Sequence, residues 1–181
     1  DGGLAGQRLL GTVFQPSAFG VFLLLSIYLF LKGRRVWAVL SAVLAATVHP
    51  TYLLAAGLLT AGYLLVVGLQ ERRWKQAAGL AGLALVAVAP VVWYVYGSFA
   101  QPAQPEVAQM AVEARRILVE FRIPHHAQIA TWFDLSSIIK LGLVAAALGL
   151  IRKQRTLFTV LLTVTLAAAA LTLAQWFTQD N

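Results

Sequence analysis

The sequence has no cysteine and few charged residues. Without cysteine, disulfides, thiolate metal sites and a cysteine nucleophile are excluded. Charged residues make up 12% of the chain and hydrophobic residues 60%, whereas soluble domains have about 25% charged residues. So little polar surface does not cover a water-soluble globule, which excludes a soluble enzyme, a disordered tail and a coiled coil. The composition predicts a protein whose surrounding solvent is lipid.

Apolar segments along the chain predict about six membrane-spanning helices. A spanning helix needs about 20 apolar residues, and a lone segment in lipid satisfies its backbone groups only as a helix. The predicted spans are Phe14–Leu31, Val36–Val48, Thr51–Leu69, Ala77–Gly97, Leu135–Ile151 and Thr156–Phe177. The second is short, so it either tilts against its neighbours or does not cross fully. The expected fold is an all-α polytopic transmembrane bundle, one domain over residues 1–181 that we expect to be part of a longer chain.

Basic residues decide whether Val36–Leu69 is one kinked helix or two spans that meet at His49-Pro50. Three basic loops, 32–35, 70–76 and 152–155, lie between the apolar segments. Two spans place all three loops on one face of the membrane, and one span divides them between the faces. Because cytoplasmic loops are enriched in Lys and Arg, we predict two spans and cytoplasmic basic loops. The net charge of +7 then reflects membrane topology and not binding to nucleic acid.

Residues 98–134 form the one long segment outside the predicted spans, on the external face. Within it, Glu106–Phe121 has apolar residues at helical intervals, which predicts an amphipathic helix at the membrane interface or over the bundle. Such a helix either shields the bundle from water or forms a lid over a lipid-facing site. Asp134 or Ser136 is expected to cap the helix that follows.

Polar residues on the predicted external face are candidates for binding a lipid phosphate or another substrate. Arginine, lysine and histidine suit a phosphate, and an ionisable residue inside a span suggests function. The candidates are His49, Arg122, His125, His126, Asp134 and Lys140. Lys140 either joins this site or extends its amine to the external interface. No metal ion is expected, because the adjacent His125 and His126 point in different directions and no His-x-x-x-His spacing occurs.

The acidic residues give little support to catalysis or transport. There are seven, none lies in the middle of a predicted span, and no two form a pair for general acid–base catalysis. A transporter usually has ionisable groups inside its spans, and here only Lys140 is placed so. We therefore assign no catalytic residue and predict no cofactor.

Four short motifs lie at the ends of the apolar segments or in the external loop. They are Phe14-Gln15-Pro16-Ser17, Lys32-Gly33-Arg34-Arg35, Thr47-Val48-His49-Pro50-Thr51-Tyr52 and Phe121-Arg122-Ile123-Pro124-His125-His126. Together they resemble an uncharacterised family of large bacterial membrane proteins that is itself similar to the GT-C glycosyltransferases. The resemblance implies a bacterial cytoplasmic membrane, functional external loops and a polyprenyl-phosphate-linked sugar. The acidic residue that GT-C enzymes carry after their first span has no counterpart here, because that loop is basic.

Two classes of function follow from the sequence. The favoured one is a membrane scaffold or accessory subunit without an active site, with the lipid bilayer and other membrane-protein subunits as partners. The alternative is a fragment of a GT-C-like glycosyltransferase that binds a polyprenyl-phosphate lipid. In that case we expect the catalytic part to precede Asp1 in a longer chain. A transporter ranks third.

Overall fold

The computed structural model describes residues 19–99, 108–117, 120 and 134–178. In these residues the regular secondary structure is helical, without a strand. The helices are α1 Val21–Leu31, α2 Arg35–Val48, α3 Leu53–Leu65, α4 Trp74–Phe99, α5 Ala108–Arg116, α6 Leu135–Ile151 and α7 Arg155–Thr178. A 3-10 turn, Pro50–Tyr52, leads into α3, and a π-helical turn, Val66–Gln70, follows it. The all-α prediction is confirmed for this part of the chain.

Among the described residues, three helical segments are long and apolar enough to cross a membrane: Pro50–Gln70, Trp74–Ser98 and Arg155–Phe177. The other apolar helices are shorter, with 11, 14 and 17 residues in α1, α2 and α6. At the helical rise, α2 is about 21 Å long, less than the roughly 30 Å hydrocarbon core of a bilayer. The helices coincide with the six predicted apolar segments, although the start of Phe14–Leu31 lies outside the described residues. Six complete crossings stay a prediction.

The core of the bundle forms around α2. This helix packs against α1, α3 and α4, and its residues Ala38, Ala42, Ala45 and Ala46 are fully buried. Small side chains let neighbouring helix backbones come close together. Helices α3 and α7 also approach closely at a small residue, Gly62. A Cβ added there would lie only 3.2 Å from a backbone oxygen of α7. Helix α6 packs against α7 and has no buried residue.

The turn from α1 to α2 depends on Gly33. Its φ of 74° is left-handed, a conformation that costs an L-residue with a side chain about 1–2 kcal/mol. The Gly33 N–H donates to Phe30 O and the Arg34 N–H to Leu29 O, both at 2.9 Å. These two bonds satisfy the last carbonyls of α1 in the pattern of a Schellman motif. The chain therefore reverses at once and starts α2 at Arg35.

The chain between α2 and α3 breaks at His49, as predicted. His49 is extended, with φ −147° and ψ 117°, because the ring of the following Pro50 disfavours a helical conformation at the residue before it. Helices α2 and α3 pack against each other. The stretch Val36–Leu69 is therefore two helices and not one kinked helix.

The predicted amphipathic helix lies partly within the described residues. Its central part is α5, in which Met110 and Val112 are exposed, at 65% and 69%. Arg116 forms ion pairs with Glu113 at 3.8 Å and with Glu120 at 3.2 Å. The helix itself is present over these residues, and its place at a membrane interface stays a prediction.

Candidate functional site

Three of the six candidate site residues, Arg122, His125 and His126, lie outside the described residues. The structure places the other three, His49, Asp134 and Lys140, at helix starts or near them. His49 precedes the turn into α3, and Asp134 precedes α6. Lys140 is exposed in the second turn of α6. The predicted grouping of all six around a phosphate stays a prediction.

His49 makes a local structural contact. Its Nδ1 lies 2.8 Å from Thr51 Oγ1 and accepts a weak hydrogen bond, at 3.4 Å, from the Thr51 N–H. The imidazole therefore caps the helical turn, in the position that Ser, Thr, Asp or Asn usually occupies. The imidazole therefore holds the 3-10 turn that restarts the chain after α2, and its Nε2 is the nitrogen left for any ligand.

Asp134 caps α6, as predicted for Asp134 or Ser136. Its Oδ1 accepts the Ser137 N–H at 2.7 Å. Hydrogen bonds from the side chain and then the backbone of Ser137 lower the pKa of the Asp134 carboxyl, and the positive charge of Lys140 lowers it slightly further. The carboxyl is therefore ionised at neutral pH, where its charge also suits the N-terminus of a helix.

These local contacts do not assemble a site by themselves. Among the described residues, no hydrogen bond or ion pair joins His49 to Asp134 or Lys140, and no group of three His, Asp or Glu side chains is placed to hold a metal ion.

The most organised polar group in the described bundle is one that the sequence analysis did not single out. Ser26 Oγ of α1 donates to Ala38 O of α2 at 2.7 Å and lies 2.9 Å from the hydroxyl of Tyr63 in α3. Because the single Ser26 proton goes to the carbonyl, the Tyr63 hydroxyl is the donor to Ser26. The result is a buried chain of hydrogen bonds that joins three helices.

Ring packing strengthens the same point of the bundle. The rings of Tyr63 and Phe30 are stacked, with centroids 4.0 Å apart and planes 11° apart. Tyr63 is fully buried and Phe30 is 5% exposed. The available sequence signal was that Ser26 and Tyr63 interrupt apolar runs, but nothing in the sequence pairs two residues so far apart.

A second buried serine of the core also links two helices. Ser41 Oγ donates to Phe22 O at 2.8 Å, a second link between α1 and α2. Within the described part of the chain, no buried side-chain nitrogen or oxygen lacks a hydrogen-bond partner. An unpaired buried polar group would suggest a ligand or a catalytic role. The described core instead uses its polar groups to hold helices together.

An apolar groove opens between α2, α3 and α4. Its volume is about 280 Å³, and small residues such as Ala56, Gly57, Ala81 and Ala84 form much of its wall. No atom lies within 4 Å of a Cβ added to Gly57, so the glycine contributes directly to the space. A groove with this lining accepts a hydrocarbon chain or the side chains of another helix.

Large apolar side chains cover the outside of α4 and α6. Trp93 of α4 is 80% exposed, Val86 is 75% exposed and Leu150 of α6 is 85% exposed. Contiguous exposed apolar patches of more than a few hundred Å² are rare in water-soluble monomers. These faces therefore need lipid or other protein helices around them.

The three basic loops lie at one end of the bundle. Arg35, in the first loop, donates to both carboxylate oxygens of Glu71 in the second, at 2.7 and 2.5 Å. Gln70 of the second loop donates to Thr159 Oγ1 at 2.5 Å. Thr159 lies in the second turn of α7, just after the third loop. This agrees with the prediction that the loops share one face, while the side of the membrane that they face stays a prediction.

No family model, curated protein or solved structure matches the chain. Over the described residues, the fold and composition define an α-helical protein with three helices compatible with crossing a membrane.

Proposed function

We propose that the chain is an integral membrane protein that acts as a scaffold or accessory subunit of a larger membrane-protein assembly. One observation carries the proposal: the described core uses its polar groups internally, while the apolar faces of α4 and α6 stay uncovered. Such a molecule is built to pack against lipid and other helices. Catalysis and ion translocation both need reactive groups that this core does not offer.

The proposed topology has six spans in a bacterial cytoplasmic membrane. The basic loops 32–35, 70–76 and 152–155 face the cytoplasm, and residues 98–134 face outwards. The links that gather the three loops at one end of the bundle support a common side, and their Lys and Arg content supports the cytoplasmic one. The shorter α1, α2 and α6 then cross with the bilayer adapted locally to their length.

Cysteine accessibility tests this topology on a clean background, because the chain has no cysteine of its own. A membrane-impermeant maleimide should label Ser98→Cys and Ser136→Cys in intact cells. It should label Arg34→Cys and Lys153→Cys only after the membrane is opened. Leu143→Cys in the middle of α6 is the control that should stay unlabelled in both. Labelling of Ser98→Cys and Lys153→Cys from the same side would rule out the six-span arrangement.

The scaffold role predicts that α6 docks on a helix of another subunit. Ala145 and Gly149 are four residues apart and exposed, and no atom lies within 4 Å of a Cβ added to Gly149. Small residues at this spacing let a second helix approach closely. Ala145→Leu with Gly149→Leu should therefore reduce the size of the native complex in mild detergent. Ala147→Leu enlarges the opposite face of α6 and is the matched control. Equal complexes from all variants would contradict the proposal.

The alternative function is a fragment of a GT-C-like glycosyltransferase that uses a polyprenyl-phosphate-linked sugar. The observation that favours it is the apolar groove, whose lining includes Leu53, shortly after His49. An isoprenoid chain in this groove would bring its phosphate towards the external end, where the resemblance places the functional motifs. Arg122→Ala with His125→Ala should abolish sugar transfer under this alternative and should leave complex assembly unchanged under the scaffold proposal.

A transporter has less support. In the described apolar helices, every charged side chain lies at a helix end except Lys140, which is in the second turn of α6. A pathway for ions or protons needs ionisable groups along its course.

A further inference from the structure

The start of α4 forms a basic cleft at the end of the bundle that carries the three basic loops. The cleft has a volume of about 440 Å³ and is lined by Arg72, Arg73, Trp74, Lys75 and Gln76. We propose that this cleft binds the phosphate of an anionic phospholipid in the adjacent leaflet. The inference rests on the proposed insertion of the protein in a membrane, and it adds a ligand site that the scaffold role does not require.

Positive charge in the cleft is only partly neutralised by the protein. Glu71 is the one acidic residue in the three basic loops, and its two carboxylate oxygens are taken by Arg35. Arg73 lies 3.9 Å from the same carboxylate and is 62% exposed. Among the described residues, Arg72 and Lys75 form no ion pair. The cleft therefore presents three cations, and the one carboxylate beside them, Glu71, is shared between Arg73 and Arg35. The net positive charge that remains suits an external anion.

Trp74 places the cleft at the level of lipid headgroups. The indole is 59% exposed, and one edge packs against the backbone of Gly68, where an added Cβ would lie 2.7 Å from the ring. An indole ring prefers the boundary between hydrocarbon and headgroups, because it combines an apolar body with an N–H donor. A phosphate at this depth lies beside the flanking cations, where water screens their charge less than in bulk solution.

The backbone of the loop holds the cleft in shape. The Glu71 N–H donates to Val66 O at 3.1 Å, and the Arg73 N–H donates to Val67 O at 2.9 Å. Arg72 between them is in the left-handed region, with φ 56°. Arg72 and Arg73 therefore extend from a turn whose backbone is held in place, which reduces the entropy lost when their side chains bind a phosphate.

The test measures lipid binding by the purified full chain in mild detergent. Short-chain phosphatidylglycerol and phosphatidylcholine are titrated separately, and native mass spectrometry counts the lipids that are retained. The cleft variant is Arg72→Gln, Arg73→Gln and Lys75→Gln. Its matched control, Arg152→Gln, Lys153→Gln and Arg155→Gln, removes the same charge from the third loop at the same end of the bundle.

We expect the wild-type protein to prefer phosphatidylglycerol and the cleft variant to lose that preference. At about fivefold per basic residue, the dissociation constant should rise by about 100-fold in the cleft variant. The increase in the dissociation constant should be at least tenfold smaller in the control variant than in the cleft variant. Arg72→Lys with Arg73→Lys keeps the charge but removes the forked donors, and should give an intermediate loss. Unchanged thermal unfolding in the variants separates loss of the site from loss of the fold.

Two results would overturn the proposal. An equal loss in the cleft variant and its control would show a general effect of positive charge. Displacement of the lipid by an equal concentration of inorganic phosphate would show a free-anion site and not a phospholipid site. Because cysteine accessibility tests membrane insertion separately, either result can be recognised as a failure of this proposal alone.

Discussion

Removal of the Ser26 hydroxyl should destabilise the bundle more than removal of the Tyr63 hydroxyl. Ser26 accepts from Tyr63 and donates to Ala38 O in a fully buried position. In Ser26→Ala, the Tyr63 O–H becomes a buried donor without its partner. In Tyr63→Phe, the ring keeps its stacking on Phe30, and Ser26 keeps its bond to the carbonyl. The two substitutions therefore differ in what they leave unsatisfied.

The magnitudes follow from this difference. Leaving a buried donor unpaired costs about 1–3 kcal/mol, whereas a typical hydrogen bond contributes about 0.5–1.5 kcal/mol net. Ser26→Ala should therefore lower the free energy of unfolding by about 2 kcal/mol, and Tyr63→Phe by about 1 kcal/mol. The double variant removes both partners, so it should be no less stable than Ser26→Ala alone. With these values the pair should show a coupling energy of at least about 1 kcal/mol, above the average of about 0.6 kcal/mol and within the maximum of about 1.7 kcal/mol measured inside a membrane bundle.

Unfolding with a denaturing detergent, followed by helical ellipticity, measures all four proteins of this double-mutant cycle. Tyr94→Phe is the matched control, because Tyr94 is 66% exposed on α4 and should show no change. The reasoning would be refuted if the effects of Ser26→Ala and Tyr63→Phe simply added in the double variant. It would also be refuted if Tyr63→Phe were the more damaging of the two.

Three further predictions use other contacts of the described helices. Gly62→Ala should lower the free energy of unfolding by about 1–3 kcal/mol, because the added Cβ would press on the backbone of α7. Gly57→Ala in the same helix should be neutral or stabilising, because its added Cβ would meet no atom. Equal effects of the two substitutions in the same detergent titration would contradict the close contact at Gly62. Glu71→Gln should lower the free energy of unfolding by about 1–2 kcal/mol, because it removes the ion pair with Arg35. Both side chains are partly buried, with exposures of 30% for Glu71 and 16% for Arg35. Added salt should destabilise the wild-type protein more than the variant. The pKa of Asp134 is lowered in the folded protein, so the stability that its cap contributes is present above the unfolded-state pKa and is lost as pH falls through the folded-state pKa. Asp134→Asn should therefore remove part of the fall in α6 helicity below about pH 4. An identical acid transition in the variant would contradict this prediction.

The candidate site shows how far local patterns reach. Asp134 as a helix cap and His49 as the break between two helices were predictable, because each depends on residues within three positions along the chain. The buried contact between Ser26 and Tyr63 was not, because the two residues are 37 positions apart and their types occur in many apolar helices. The groove was also missed, because its space depends on where α2, α3 and α4 diverge and not on any one segment.

The sequence by itself determined the apolar composition and, over the described residues, the all-helical class and the positions of the helices. These properties depend on composition, on unbroken apolar runs and on nearby breakers such as Gly33 and Pro50, whose effects act within a few residues. Only the tertiary structure decided which helices pack, which polar side chains meet in the core and how Glu71 came to be paired with Arg35. Those outcomes depend on the fit between small residues on distant segments, and a close approach of helices such as that at Gly62 exists only once both helices are in place.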